Sequence, residues 1–462
     1  MRRRTFSALA VAAVLMATTV ACRPPDGGST LQRPADPVVL TGSQAPALVG
    51  TAPGRLVAFR ASGNGWAQLP VQVDERRESN MATVYDLPPT QTFYNSSINV
   101  PINVYADPNT FVGADPNTAI DNDDEIVFMA RDAGGAAGDR PAPAGTSGAA
   151  VEVRVSDPLA NTVGYVYLFG SNGSLDPAAG QRYVTYNFSL NSGDYRQTFN
   201  RLDGPNPENS TITGRTYTAH FADRWLMDSL SLTQGDRPGV DIIDRVKYDI
   251  PVFCIRNENT FNDEEGAFIV NRSGPVRALR SVVGSNSGPN TQNTFAFYDT
   301  SVDSTIDLRV HEIPRVGAHI DFDRDAVGMT YRDPAVPNGV AIDGQPDTLA
   351  AAEPSWWTVT GPQGGLGFTL TYDTDATTAP ERWYEDDATP VNWQCTGDSE
   401  AIGDSGASFS AAIRCTDPGL NCTEHHRTTT RIVAASAATT PAEVQRQAQQ
   451  RLRPLTVAVT NR

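Results

Sequence analysis

Apolar residues alternate with polar ones in short runs along most of the chain, and a helical spacing is well signalled once. In residues 66–74, Ala67, Leu69, Val71 and Val73 take every second position, with Gln68, Pro70, Gln72 and Asp74 between them. One face of that strand is therefore set up for burial. An apolar run at 55–60 precedes it across Ser62-Gly63-Asn64-Gly65, and the turn formers make the two a hairpin. Pro70 has no amide hydrogen to donate, which predicts an edge strand or a bulge at that point. Further strands are expected at 125–130, at 151–155, where Val151, Val153 and Val155 alternate with Glu152 and Arg154, and at 164–169. The first and last of these are nearly continuous apolar runs, as in strands buried on both faces.

The same signals recur at 183–190, 217–222, 246–250, 267–270, 276–283, 306–313, 366–372 and 428–434. Stretches rich in Gly, Ala and Pro at 134–148 and 171–180 read as a long loop and a junction. The one helix is predicted over 442–452, with Thr440 as N-cap, Pro441 at the first helical position and Pro454 as the stop. No fixed-period repeat is present, which disfavours propellers and solenoids. The expectation is an all-β protein, with an N-terminal β-sandwich over 36–170, a larger β-sandwich over 171–462 and one C-terminal helix.

The first residues carry a different pattern. Arg2, Arg3 and Arg4 precede an apolar, small-residue run from Phe6 to Val20, which ends at Ala21-Cys22. This is the layout of a signal peptide over 1–21. Thr19-Val20-Ala21-Cys22 resembles a lipobox, although Thr19 departs from the usual branched aliphatic residue. The resemblance implies an exported bacterial lipoprotein with Cys22 as its acylated first residue, tethered to a membrane by the turn-rich segment 22–35. Arg3-Arg4-Thr5-Phe6 also resembles the twin-arginine signature, and ordinary cleavage near Ala21 without a lipid is the plainer alternative. Either route places the folded part outside the cytoplasm.

Charge removes one class of partner. The 462 residues have a formal net charge of -17, and Lys247 is the sole lysine. No extended basic surface is available for a phosphate backbone, so nucleic-acid binding is not expected. Beyond Cys22 the cysteines are Cys254, Cys395, Cys415 and Cys422, an even number suited to two disulfides in an oxidising compartment. Three pairings are open, with Cys415–Cys422 plus Cys254–Cys395 favoured. A zinc set of Cys415, Cys422, His425 and His426 is the alternative, though its spacing matches no familiar pattern.

Four groups of residues offer chemistry. Asp121, Asp123, Asp124 and Glu125 follow two copies of Asp-Pro-Asn-Thr and supply hard oxygen ligands for a structural Ca2+, without the EF-hand spacing. A solvated acidic turn is the alternative. On the strand predicted at 306–313, Ile306, Leu308 and Val310 face one way and Asp307, Arg309 and His311 the other, as anion-binding and proton-moving types would if that face lined a cleft. Tyr217, His220, Asp223, Arg224 and Trp225 form a polar cluster beside an aromatic ring. The catalytic candidates are accordingly Tyr217, His220, Arg224, Arg309 and His311. Trp356, Trp357 and Trp383 are candidate sugar platforms, with Glu381, Glu385, Asp386 and Asp387 as possible paired carboxylates. Arg277 and Arg280 fall on opposite faces of a regular strand and cannot serve one site without a bulge.

Gly274-Pro275-Val276-Arg277 resembles a strand-initiating phrase in sandwich domains of polysaccharide lyases, and the second half resembles galactose-mutarotase-like sandwiches of polysaccharide-active proteins. The resemblance implies a surface lipoprotein that binds or cleaves an extracellular polysaccharide, in a lyase-type reaction if catalytic. It transfers no catalytic residue. The competing expectation is a non-enzymatic structural or adhesive envelope protein stabilised by calcium and disulfides. No Gly-x-Ser-x-Gly elbow, His-Glu-x-x-His, Walker loop or dinucleotide fingerprint is present.

Overall fold

A computed structural model of the chain describes residues 29–93, 96–196, 208–222, 225–234, 239–249, 266–284, 290–309, 315–374, 378–389, 400–409 and 425–462. Cys22, Arg224, His311 and the cysteines at 254, 395, 415 and 422 lie outside the described residues, as does the side chain of Arg309.

The described residues are mostly strand, and every strand pair is antiparallel. In the N-terminal part, a three-stranded sheet (Pro37–Thr41, Glu125–Met129, Gln72–Asp74) lies on a five-stranded sheet that includes Leu56–Ser62, Gly65–Leu69, Thr146–Asp157 and Thr162–Ser171. Leu40, Leu56, Ile126, Phe128, Val153 and Leu168 form the apolar layer between them. Pro70 explains how one continuous alternating run serves both sheets. The strand Gly65–Leu69 pairs with Leu56–Ser62, pairing stops at Pro70, and Gln72–Asp74 pairs instead with Glu125–Met129.

The second part is built on a nine-stranded sheet. One of its faces is covered by two four-stranded sheets, one made of Thr185–Asn187, Ser210–Thr213, Tyr217–Phe221 and Ser229–Leu232, the other of Ile243–Asp249, Val316–Phe322, Ala401–Phe409 and Glu381–Asp387. Phe221, Tyr248, Phe295, Phe297, Ile320, Phe368 and Phe409 are among the residues of that shared core. The helix Pro441–Arg451 packs Val444 and Ala448 onto the strands Trp356–Gly361 and Gly364–Thr374. Thr440 caps it by accepting from the Glu443 amide. A one-turn helix, Met81–Val84, packs at the seam between the two parts.

The domain boundary differs from the one read in the sequence. The last strand, Thr456–Asn461, pairs with Thr146–Asp157 and completes the N-terminal sheet, so the chain leaves that unit near residue 171 and returns at its end. A second apolar cluster joins the two parts, with Met81, Tyr85, Val104, Val127 and Met129 packed on Ile269, Leu279, Val283 and Tyr298.

A buried polar knot ties the same seam. Gln72 Oε1 accepts the amides of Val276 and Arg277 at 3.1 and 3.0 Å. A Cβ on Gly274 would meet that carboxamide at 2.0 Å, so glycine there lets the two segments close without displacing it. Arg277, 2% exposed, donates from Nε to Asp74 at 2.8 Å and from NH2 to Glu125 at 2.5 Å. Glu125 also takes Arg76 at 3.0 Å and the Tyr105 hydroxyl at 2.9 Å. Burial pushes its carboxyl up, but Arg277 and Arg76 outweigh that and hold it below the ordinary range.

Replacing Arg277 by Met removes the cation and leaves two buried carboxylates facing each other, for which a loss of about 3–5 kcal/mol is expected. Urea denaturation at neutral pH measures it. Because the folded Glu125 carboxyl is depressed, its contribution is complete above the unfolded value and disappears as pH falls through the folded one. Stability should therefore decline with acid more steeply in the parent than in R277M over that window.

Candidate functional site

A constellation of buried ionisable groups lies on one face of the four-stranded sheet that contains Val316–Phe322. The alternation of that strand sends Ala318, Ile320 and Phe322 to the apolar core and His319 and Asp321 to the other side. Register then sets their neighbours. Lys247 pairs with His319, His319 with Gly406 and Gly406 with Trp383, so the four form one cross-strand row. Two residues along, Asp404 and Glu385 are paired and share a face with Asp321.

Gly406 makes the row possible. Without a side chain between them, the His319 and Trp383 rings stack at 4.8 Å and 26°. A Cβ at Gly406 would lie 2.3 Å from the Ala318 carbonyl oxygen and 2.5 Å from His319 Cβ.

His319, Asp321, Asp404 and Lys247 are each no more than 3% exposed. Lys247 Nζ donates to Asp321 at 2.6 Å and to the Glu400 carbonyl at 3.3 Å. The other Asp321 oxygen accepts the Ile402 amide at 2.9 Å. His319 Nδ1 lies 2.7 and 2.8 Å from the two Asp404 oxygens, which orients the ring and, in a neutral imidazole, puts the proton on Nδ1 and the lone pair on Nε2. Nε2 is buried and has no hydrogen-bond partner among the described residues. The Trp383 indole donates to Asp404 at 3.2 Å, and the Arg315 guanidinium sits 4.6 Å from the indole ring.

The carboxyls are driven apart. Burial and the neighbouring Asp404 push Asp321 well above the ordinary carboxylate range, against the opposing pull of Lys247. Burial acts the same way on Asp404, but His319, Lys247 and Trp383 outweigh it and hold Asp404 low. Glu385 is raised by burial and by Asp404. Carboxyls of one chemical type displaced in opposite directions are a pattern that acid–base sites share.

Among the described residues, the candidates read from sequence fall elsewhere, with two exceptions, Trp383 and Glu385. Tyr217 and His220 point to opposite faces of Tyr217–Phe221 and do not converge. Tyr217 is fully buried and donates to the Tyr298 carbonyl at 2.8 Å, and burial followed by the Asp299 charge raises its hydroxyl far above the ordinary value. It is a packing residue here. Both His220 nitrogens are engaged, Nδ1 by Asp228 at 3.1 Å and Nε2 by Asn209 at 2.7 Å. Trp225, expected beside that cluster as a platform, is buried in the core. Asp307 pairs with Arg427 at 3.0 Å, while Ile306 and Leu308 enter the core as their spacing predicted.

Trp356 and Trp357 are 8% and 2% exposed, and Trp357 stacks on Phe368 at 5.0 Å. They are core residues because both faces of their strand are covered, by the small sheets on one side and the helix on the other. Trp383 belongs to the constellation together with Glu385, its indole in contact with His319 and Arg315. Of the carboxylates near it, Asp386 accepts the Asp343, Gly344 and Gly403 amides and has a structural task. Arg277 and Arg280 serve separate ion pairs, the latter with Glu208 at 2.6 Å.

In the acidic loop, Asp121, Asp123 and Asp124 each present an oxygen within 4.8 Å of the others. Glu125 is turned away into the Arg277 seam, and its place in the expected ligand set is corrected accordingly. A cleft of about 500 Å³ also lies along the seam, beside Arg33, Asp303, Arg431 and Arg451. Arg33 is committed to the Gln450 and Arg453 carbonyls, and Arg451 to Ser301 Oγ at 2.9 Å, so this cleft reads as a fastening of the C-terminal helix.

His319, Asp321 and Asp404 are missing from the sequence reading. Ala401-Ile402-Gly403-Asp404-Ser405-Gly406 has the composition of a turn, and the strand Val316–Phe322 lacks long apolar side chains except Ile320 and Phe322. The available signal was the alternation of Ala318, Ile320 and Phe322 with His319 and Asp321.

No protein-family model matches the chain, and no curated protein does. Among solved structures, the Slr1438 protein of Synechocystis sp. PCC 6803 is similar at 10% identity over 51% of this chain and 97% of its own, with a TM-score of 0.31. A family GH92 α-mannosidase of Bacteroides thetaiotaomicron is similar at 12% identity over 60% of this chain and 33% of its own, with a TM-score of 0.29.

Gly406→Ala should lower stability by about 1–3 kcal/mol, the usual cost of forcing extra volume into a filled site. It should also separate the His319 and Trp383 rings. Thermal denaturation followed by tryptophan emission reads both, and a variant that melts and emits like the parent would contradict the stacked row.

Proposed function

We propose that the chain is an exported envelope protein, anchored through a lipid on Cys22, that acts on an extracellular polysaccharide at the His319–Asp404–Glu385 face. The observation that carries this reading is His319 Nε2, a buried ring nitrogen with no hydrogen-bond partner among the described residues, on a ring oriented by Asp404 through Nδ1. Trp383, Arg315 and several carboxyls around it are the residue types that meet sugars and their acidic substituents.

A lyase-type β-elimination on a uronic acid polymer would draw on His319, Asp404, Glu385 and Arg315. His319 Nε2 takes the proton from the carbon beside the sugar carboxylate, and Asp404 stabilises the imidazolium that forms. The electron pair left on that carbon becomes the new carbon–carbon double bond as the glycosidic carbon–oxygen bond breaks. Glu385, kept protonated more readily than an ordinary glutamate, supplies the proton for the departing oxygen. Arg315 is the cation for the substrate carboxylate, whose charge grows as the proton leaves.

The test is a panel of acidic and neutral glycans incubated with the full folded chain. Ultraviolet absorbance follows unsaturated products, and reducing ends follow hydrolysis. His319→Ala should lower an observed rate by at least about 10²-fold, the scale of a general base, and Asp404→Asn should lower it through the wrong tautomer. Reducing ends without ultraviolet absorbance would replace elimination by hydrolysis. Silence in both readouts, together with no glycan binding by calorimetry, would overturn the proposal in favour of a structural or adhesive lipoprotein.

A further inference from the structure

Where the nine-stranded sheet meets the N-terminal unit, an acid and a base face each other across two strands without a hydrogen bond between them. Asp303 pairs with Arg431, and Arg431 with Thr369, on the adjacent strands Ser301–Arg309, His425–Ala435 and Gly364–Thr374. Alternation sends Val302 and Ile432 into the shared core and turns Asp303 and Arg431 to the opposite face, the one that carries the C-terminal helix. There both line the seam cleft of about 500 Å³. Their side chains are 21% and 25% exposed, so a ligand in the cleft can reach them.

The other charges of the cleft are already spent. Asp36 is bound by Arg33 and by Arg451, and those two arginines fasten the helix. Asp303 and Arg431 are held loosely by comparison. Arg431 Nε stands 3.9 Å from Asp303 Oδ2, beyond hydrogen-bond reach. Asp303 Oδ1 is buried and has no hydrogen-bond partner among the described residues. Arg431 donates from NH1 to Thr371 Oγ1 over a long 3.3 Å. A carboxylate, which accepts, and a guanidinium, which only donates, thus stand side by side with much of their capacity unused.

Their opposite needs select the ligand. An anion would suit Arg431 and meet the charge of Asp303, and a cation would suit Asp303 and meet the guanidiniums of Arg431 and Arg451. A hydroxyl group donates and accepts at once, so two of them on neighbouring carbons can give to the acid and take from the base together. Val39, Leu455 and Val457 supply an apolar lining for the carbon–hydrogen part of such a molecule, and Val39 is 37% exposed. We propose that the seam cleft binds a vicinal diol, carried by a sugar residue or a free polyol, with Asp303 as its acceptor and Arg431 as its donor. The volume is that of a small-molecule site, for which about 300–1,000 Å³ is usual. Because the apolar lining comes from the N-terminal unit and the polar pair from the second, an occupant also ties the two together. The site lies across the shared core from the His319 face and does not depend on the chemistry there.

The test is saturation-transfer NMR on the full folded chain, titrated with sorbitol, methyl glucoside or maltotetraose, with propanol as the monohydric control. Transfer should reach at least one polyhydroxylated probe and not propanol; sorbitol alone would assign a free polyol, and the glucosides alone a sugar residue. Arg431→Gln should weaken the bound probe at least tenfold, on the scale of about 1.4 kcal/mol per tenfold. Asp303→Asn, nearly isosteric, should do the same with an unchanged or higher melting temperature, and it gives the reading should Arg431→Gln fold poorly. His319→Ala should bind as the parent does. Transfer to no probe, parent-like binding in both cleft variants, loss of binding in His319→Ala alone, or displacement of the probe by sulfate would each overturn the site.

Discussion

The buried guanidinium of Arg277 holds the architecture together. It closes the seam between two sandwiches by binding Asp74 from one strand of the N-terminal unit and Glu125 from the next, at the point where Gln72 also gives its carboxamide oxygen to the second unit. Charges in such a place are unfavourable singly, because each has lost its water, and tolerable only as a complete set. The sets on either side have therefore to be correct together. Gln72 and Asp74 face the seam because Pro70 ended the preceding pairing and let the chain cross to a second sheet, and Gly274 admits the approach. A change in any one of these would leave another buried group without its partner.

The same seam divides two neighbouring acids between two tasks. Asp124 and Glu125 are adjacent, and backbone alternation sends them to opposite sides at the start of one strand. Glu125 is neutralised by Arg277 and Arg76, which keeps it ionised. Asp124 faces the acidic loop, where no such cation is supplied from the described residues and the carboxyls are pushed upward by burial and by one another. Charge balance within the seam is thus obtained by drawing the nearby arginines to it, and the loop beyond it is left with an excess of negative charge.

Much of the architecture is legible in the sequence because it depends on local rules. Alternation locates most strands, Thr440 and Pro441 place the start of the helix, and Pro70 marks a discontinuity whose consequence, a change of sheet, becomes visible only in the fold. The return of Thr456–Asn461 to the first sheet is not legible, since a short alternating strand carries no address for its partner. Burial of Trp356 and Trp357 escapes for a related reason. Adjacent tryptophans on a strand look half exposed until both faces of the sheet are known to be covered.

The polar face around His319 shows why function is harder to read than fold. Its members come from four strands spread over residues 243–409, and none has a neighbour in sequence that belongs to the site except by the spacing of two along a strand. What joins them is cross-strand register, a long-range quantity. Gly406 illustrates the point: in sequence it weakens a strand and suggests a turn, while in the sheet it is the gap that lets an imidazole meet an indole. Once Asp404 is bound to His319, its charge raises Asp321 and Glu385 in turn. Burial is the larger cause of both shifts, and the Asp404 charge adds to it.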